Sequence, residues 1–396
     1  MEALYVPSLV LAGLLAPACV YLALLALGAR RAPGPSPSRP TLRFDVVVPA
    51  HNEERDIATT VKGLLAIEYP SHLFRVVVIA DNCDDDTATR AREAGAEVLV
   101  RNEPSARGKG YALEYAFEVL LAESDADAFV VIDADSTPSG NLLSAFAARL
   151  EQGEHALQAE YGVRNVDVSW RTRLMTIALA MFHGVRSSAR DRLRLSVGLR
   201  GNGMCFSRSI LATHPHRAYG LVEDVEYGIT LGVAGIRVAF VPDVFVASEM
   251  AATSDAAASQ RRRWEGGRLQ LVRERALPLV RDGLRRRSLL LLDLAADLLV
   301  PPLGYLGLTV GAGLSYEGVL SYLAGDYTSG FFVWSFLAAC LALYVARGVA
   351  WSGLGARGVV ALLWAPVYVI WKIAHVRPWR ADRTWIRTRR MSEGAT

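Results

Sequence analysis

Two carboxylates one residue apart close an apolar run at Val130-Val131-Ile132-Asp133-Ala134-Asp135. Like charges held together at a strand end call for a hard cation to offset their repulsion. Mg2+ or Mn2+ bound there could bridge diphosphate oxygens and neutralise a departing nucleotide. Earlier in the chain, two β-branched runs end in polar turns, Pro49-Ala50-His51-Asn52-Glu53-Glu54 and Ala80-Asp81-Asn82-Cys83-Asp84-Asp85-Asp86-Thr87. In the first, Asn52 is placed to cap a helix, and a capped strand–helix turn is the plainer account. Ser105-Ala106-Arg107-Gly108-Lys109-Gly110 sets glycines beside a cation, which suits close approach of backbone to an anion. It lacks P-loop spacing, so a flexible loop with a stray lysine competes with that reading. Glu223 and Asp224 open a helical pattern, either as dipole complements or with one of them as a general base. In Gln260-Arg261-Arg262-Arg263-Trp264, Arg can fork around phosphate oxygens and Trp offers a face to a sugar. The same segment also reads as a basic helix on a membrane surface. Gly201-Asn202-Gly203 marks a tight turn.

The elements that position these residues follow from the pattern between Arg43 and about Val246. FDVVVPA, FRVVVIAD, AEVLV and AFVVIDAD are short apolar runs separated by amphipathic segments. Strands alternating with helices of this length predict an α/β domain with a parallel sheet and helices on both faces. Ligands of such sheets bind at the carboxyl ends of the strands, where these turns fall.

Around this domain the chain turns apolar. Hydrophobic residues make up 52% of 396, and the mean hydropathy is +0.23. A net charge of +3 is too small to suggest a nucleic-acid partner. Lys62, Lys109 and Lys372 are the only lysines among many arginines. The four cysteines, Cys19, Cys83, Cys205 and Cys340, have no metal-ligand spacing and read as small apolar packers. Residues 1–29 form an anchor without a positive leading region. Arg30, Arg31, Arg39 and Arg43 follow it, placing residue 30 onward in the cytoplasm by the positive-inside rule. A Pro-rich linker occupies 30–42, the catalytic domain 43–258, and a basic interfacial region 259–287. Membrane segments fill 288–376, near Leu289–Tyr316, Phe331–Ala346 and Val359–Val376, with a break at Pro301-Pro302. Glu317 and Asp326 mark an outside loop and Arg347 and Arg357 an inside one. The basic tail, 377–396, belongs inside, yet three crossings would leave it outside. The last segment, rich in Trp and Pro, is therefore expected to lie in the interface or re-enter.

Taken in order, PAHNEE, ADNCDDDT, RGKG, DAD, ED and QRRRW resemble the membrane-bound family 2 glycosyltransferases. That branch includes the cellulose, chitin, hyaluronan and poly-N-acetylglucosamine synthases. The resemblance spans Asp45 to Trp264. It implies the GT-A fold, a doubly wound mixed sheet, with a UDP-sugar donor and Mg2+ or Mn2+ as cofactor. By the same resemblance Ala50, Asn52, Glu53 and Asp81 would face the nucleoside, with Lys109 near the nucleotide. Asp133 would meet the diphosphate region and Asp135 the metal. Asp224 would be the catalytic base, with Glu223 beside it. Gln260, Arg263 and Trp264 would close over diphosphate and acceptor. The reaction implied is a single inverting displacement at the cytoplasmic face of the membrane, extending a β-linked exopolysaccharide, with a partner membrane protein for export. One alternative is transfer of a single sugar to a lipid acceptor, as in ceramide glucosyltransferases. Another is a silent nucleotide-sugar-binding scaffold. The tail Trp385-Ile386-Arg387-Thr388-Arg389-Arg390 resembles the ending of bacterial members. Leu199-Arg200-Gly201-Asn202 stands where cellulose synthases carry Phe-x-Cys-Gly-Ser, which points to a different acceptor.

Overall fold

Each of the four apolar runs becomes a strand, and a polar turn follows it. The computed structural model describes residues 2–31, 40–250 and 254–376. Most of the Pro-rich linker and the whole basic tail, including Trp385–Arg390, lie outside the described residues. In chain order the strands are β1 Phe44–Ala50, β2 Phe74–Asp81, β3 Glu97–Arg101, β4 Ala128–Val131, β5 Ser136–Pro138, β6 Ala156–Val163, β7 Met204–Ser207 and β8 Val238–Ser248. The helices of the catalytic part are α2 Ile57–Leu65, α3 Thr87–Glu93, α4 Lys109–Glu123, α5 Leu142–Glu151, α6 Trp170–Leu179, α7 Arg186–Arg192, α8 Arg208–Thr213 and α9 Glu223–Val233. Before them stands α1, Glu2–Gly28. After them come α10 Ser254–Arg286, α11 Leu289–Leu299, α12 Leu303–Ala324, α13 Ser329–Ser352, α14 Ala356–Leu362 and α15 Ala365–His375.

The eight strands form one sheet in the order β3-β2-β1-β4-β7-β6-β8-β5. β1, β2, β3 and β4 are mutually parallel, whereas β7 runs antiparallel to both β4 and β6. The sheet is therefore mixed. Its inner strands β1, β2 and β4 are largely apolar on both faces, as strands covered by helices on two sides must be. Val46, Val48, Val130 and Ile132 fill one core layer. Val47, Phe129, Val131 and Phe206 fill the other.

That second layer continues without a break into α1, α12 and α13, so the sheet and the apolar helices share one core. Two helices, over Val6–Gly28 and Ser329–Ser352, are long and apolar enough to cross a membrane. Two bent pairs raise the number to as many as four: α11 with α12 at 71°, and α14 with α15 at 47°. The first bend falls at Pro301-Pro302, where no backbone N–H is available to continue the helix. Glu317 lies inside α12 rather than in a loop. It is fully buried and accepts a hydrogen bond from Thr328 Oγ1 at 2.9 Å, beside the start of α13. The basic region also begins earlier than its composition indicates, because α10 is a single helix from Ser254 that carries Gln260 through Trp264.

Candidate active site

The turn after β1 and the turn after β2 are built against each other. Asn52 and Asn82 both adopt left-handed backbone, with φ of 55° and 50°, a conformation Asn tolerates better than most residues. Asn52 Oδ1 accepts from Asp84 N at 3.0 Å, and Glu53 N donates to Thr87 Oγ1 at 2.7 Å. Asn52 thus ties the two turns together, while the N-cap of α2 is Asp56. Asp81 is buried and pairs with Arg101 Nη1 at 2.6 Å, and the same nitrogen donates to Ala106 O at 2.9 Å. This ion pair anchors the loop that leads to Lys109.

Lys109 is the first residue of α4, and Gly108 ahead of it has φ of 131°. Its ammonium group donates to Asp133 Oδ1 and to Gly201 O. Burial alone would lower its pKa, but the Asp133, Glu223 and Asp224 carboxylates together hold it above the ordinary value. Gly201 and Gly203 flank Asn202 at φ of 78° and 68°. This turn aims the Asn202 side chain at the Asp-x-Asp strand end. Its Oδ1 accepts from Asp133 N at 3.1 Å, and its Nδ2 donates to Ser136 Oγ at 2.8 Å and to Ser248 Oγ at 3.1 Å. Sequence reasoning found the turn and missed this function for it.

Glu223 and Asp224 open α9. Both carboxyls are raised, chiefly by burial. Their mutual repulsion adds to this for Glu223, and Lys109 acts against it in both. Lys109, Gly201 and the carboxylate of Asp224 form one compact group, since a Cβ placed on Gly201 would lie 3.3 Å from Asp224 Oδ2. Trp264 packs against Val163, Leu179 and Met250, and the Arg261 guanidinium lies 5.7 Å from its ring centre.

Most of the sequence-predicted residues open onto a single cavity of about 1080 Å³. Of the residues singled out by sequence, Ala50, Glu53, Asp81, Lys109, Asp133, Asp135, Glu223, Asp224, Gln260, Arg263 and Trp264 line it. Asn52 does not; His51 and Asn82 line that part instead. Asp135 and Asp224, 89 positions apart in the chain, therefore share one cleft. Among the described residues no three His, Cys, Asp or Glu side chains cluster as a metal cage. Asp135 lines the cleft and could supply one of the one or two carboxylates that Mg2+ or Mn2+ takes, with phosphate oxygens and water completing the shell. Sequence reasoning missed Tyr161, Phe182, Arg186, Arg268 and Asp297 on the same wall. A signal for Asp297 was available: Asp293 and Asp297, four apart in an otherwise apolar helix, need buried partners.

A GT-A sheet carrying one cleft with an Asp-x-Asp, a lysine and a buried acid pair is the frame of a glycosyltransferase. The chain belongs to the glycosyltransferase family 2: residues 40–267 match the model for "Glycosyltransferase like family 2". It is 27% identical over 241 residues to "Probable glycosyltransferase YdaM" of Bacillus subtilis, covering 58% of this chain and 56% of that protein. It is also 27% identical to "Beta-monoglucosyldiacylglycerol synthase" of Synechocystis, covering 56% of this chain and 47% of that one. The chain thus spans about half the length of the curated relatives it matches. Among solved structures it is similar to a mannosyltransferase from Pyrobaculum calidifontis, in complex with GDP-Man and Mn2+. That match has a TM-score of 0.58 at 19% identity and covers 88% of this chain and 98% of the other.

Proposed function

We propose that the protein transfers a sugar from a UDP-sugar to an acceptor hydroxyl at the membrane surface, with inversion, using Mg2+ or Mn2+. The observation that carries this reading is the shared cleft of Asp135, Asp224 and the α10 residues Gln260, Arg263 and Trp264. In it Asp224 takes the acceptor proton as the hydroxyl oxygen bonds to the anomeric carbon. The bond from that carbon to the donor phosphate breaks, and the nucleoside diphosphate leaves with its electrons. Asp135, with the donor's own phosphate oxygens, would hold the cation, which neutralises charge on the leaving group. Lys109 fixes Asp133 and adds positive charge at the same place, and Arg263 supplies a further cation. Ala50, Glu53 and Asp81 face the nucleoside. Asn52 acts behind them by setting the turn.

The test is a screen of UDP-sugars, with GDP-mannose beside them, for nucleotide release by the full chain in lipid nanodiscs with Mn2+. Asp224→Asn should lower transfer by about 10²–10⁴-fold while nucleotide affinity holds. Loss of nucleotide affinity instead would remove Asp224 from the base role. Binding of UDP with no release from any sugar nucleotide would favour a silent scaffold. A ladder of products would favour polymer extension with an export partner, and a single addition would favour a lipid acceptor.

A further inference from the structure

The cleft does not end at Asp224. Its wall also holds Arg200, Arg186 and Arg268, together with Leu298, Val300, Leu303, Leu308, Leu341 and Val369 on or beside the apolar helices. Arg200 acts on the Asp224 carboxylate and comes within 3.9 Å of Asp297, and Arg268 reaches the carbonyl of Val300. The cations thus link the catalytic acid to the apolar helices.

On this part of the wall the cations are in excess. Arg186 Nε donates to Tyr344 Oη at 2.9 Å and its Nη1 to Asp297 Oδ1 at 3.2 Å. Arg190 pairs with Asp293 and with Asp297 at 3.1 Å. Arg268 Nη2 donates to the carbonyl of Asp297 and, at 3.2 Å, to those of Leu298 and Val300, closing the carboxyl end of α11. Arg200 comes within 3.9 Å of Asp297 Oδ2, and its Nη2 donates to Val197 O at 2.9 Å. Among the described residues four guanidiniums surround the carboxylates of Asp293 and Asp297. Asp224 acts on Arg200 and Glu265 on Arg268 from the edge, but these two acids already face Lys109 and Lys372. His183, buried beside them, adds no charge, since burial and then Arg200 and Arg186 hold its imidazole neutral.

Arg200 bears most of the imbalance. It is 8% exposed, and its Nε has no hydrogen-bond partner. Its guanidinium lies 4.1 Å from the Phe182 ring centre, with those of Arg186 and Arg268 at 4.9 and 5.8 Å from the same ring. Phe182 belongs to a π-helical segment, Ala180–Val185, inserted between α6 and α7. A widened turn of that kind interrupts regular helical hydrogen bonding and is frequent at functional sites. Burial pushes the Arg200 pKa down to about 10, with Arg190, Arg186 and Arg268 adding to the effect and Asp297 opposing it. A buried excess of positive charge is costly unless an anion offsets it.

Resting on the reading of Asp224 as base, we propose that the acceptor is a lipid in which phosphate joins the reacting hydroxyl to hydrocarbon. The phosphate lies on Arg186, Arg200 and Arg268, and the chain runs along the wall formed by α12, α13 and α15. A neutral glycolipid or a free saccharide would leave the cations uncompensated, and a soluble sugar phosphate would leave the apolar wall unfilled. In the reaction the hydroxyl loses its proton to Asp224 and gains the glycosyl group, while the lipid's own phosphate ester stays intact. A glycerophospholipid headgroup and an isoprenoid diphosphate sugar both have this chemistry.

The test uses the full chain, delipidated in detergent. Native mass spectrometry would follow titration with phosphatidylglycerol, an isoprenoid diphosphate bearing one hexose, dipalmitoylglycerol or inorganic phosphate. At least one phosphate lipid should bind tenfold or more tighter than dipalmitoylglycerol and inorganic phosphate, and the tighter of the two identifies the source. Arg200→Gln should weaken that lipid tenfold, and Arg200→Lys should recover most of it. Arg281→Gln, on the exposed flank of α10, should change it less than twofold. Equal binding of dipalmitoylglycerol, or equal losses in the Arg200 and Arg281 variants, would overturn the proposal. Should Arg200→Gln fail to fold, the wild-type preference decides alone. UDP affinity with Mn2+ is measured in parallel. Its absence would sink the donor reading and leave the lipid result standing, whereas UDP binding without lipid preference would sink only this inference.

Discussion

In the proposed reaction Asp224 accepts a proton only as a carboxylate, so its proton affinity would set the lower edge of the pH range. Burial raises its pKa, while the Val225 backbone N–H, Lys109 and Arg200 pull it back. The net displacement is upward. The acid limb of kcat/KM should therefore lie above the range near 3.9 expected of an ordinary aspartate. Removing a cation should move the limb higher still. Arg200→Gln is expected to shift it to higher pH, read from the pH profile of nucleotide release at saturating donor. A shift to lower pH would show that Arg200 does not act on Asp224. At this scale the sequence was informative about side chains that line the cleft and poor about those that hold other side chains. The carboxylates of Asp133, Asp135 and Asp224 were legible because an acid ending an apolar strand or opening a helix is conspicuous. Asn52 was legible as important but not in what it does. A left-handed residue bonded to a turn 32 positions away looks, in one dimension, the same as a helix cap.

Elements carry the site by close approach. The first turn of α4, which presents Lys109, lies against the chain before α9. A Cβ on Gly110 would fall 1.9 Å from the carbonyl oxygen of Ala218. Backbone rather than a flexible side chain blocks the space, so Gly110→Ala must displace the start of the helix. A loss of about 1–3 kcal/mol in stability is expected from such overpacking, with weakened UDP binding as Lys109 leaves Asp133. Chemical denaturation and calorimetric titration would check the two effects. Unchanged UDP affinity would mean that Lys109 is not positioned by this contact. The other side of the cleft depends on α10, which α15 holds through a buried pair between Lys372 Nζ and Glu265 Oε1 at 2.6 Å. Breaking one partner of a buried pair typically costs about 3–5 kcal/mol, whereas replacing both with apolar groups is often neutral. Glu265→Gln should therefore lower the thermal midpoint sharply, and Glu265→Met with Lys372→Met should restore most of it. The α/β alternation was readable because period and turn residues agree there. The division of the first apolar run into α11 and α12 was half readable. Pro301-Pro302 marked the break, but nothing in that run alone shows that α11 packs on α9 and α10.

For the whole molecule, the arrangement of helix ends bears on how many times the chain crosses the bilayer. The last residues of α1 and α13 meet each other, since Arg347 Nη2 donates to Ala29 O at 2.6 Å and Arg31 donates to Trp351 O. Their first halves meet as well, through Trp334 Nε1 and Ser8 Oγ at 2.9 Å. The two helices thus run the same way, with their carboxyl ends toward the catalytic domain, and α12 must carry the chain back between them. The bent pair α14–α15 behaves differently. Arg357 pairs with Asp167 at 3.1 Å, Trp364 stacks on Trp170, and Trp371 donates to Ser254 Oγ at 2.7 Å. All three partners belong to the catalytic side, and Trp, Tyr and Arg are the residues expected at a membrane–water interface. Three crossings, by α1, α12 and α13, with α14–α15 lying in the interface, would put residues 31 and 376 on the same side. That arrangement would remove the conflict between segment count and the basic residues that follow. The expected outcome is specific to position. In a background lacking Cys19, Cys83, Cys205 and Cys340, Asp326→Cys should react with an impermeant maleimide from the side opposite to Ser352→Cys and His375→Cys. Labelling of His375→Cys from the side of Asp326→Cys would instead make α14–α15 a fourth crossing. It would also separate α15 from α10, and the wall that closes the acceptor end of the cleft would have to be built from other helices.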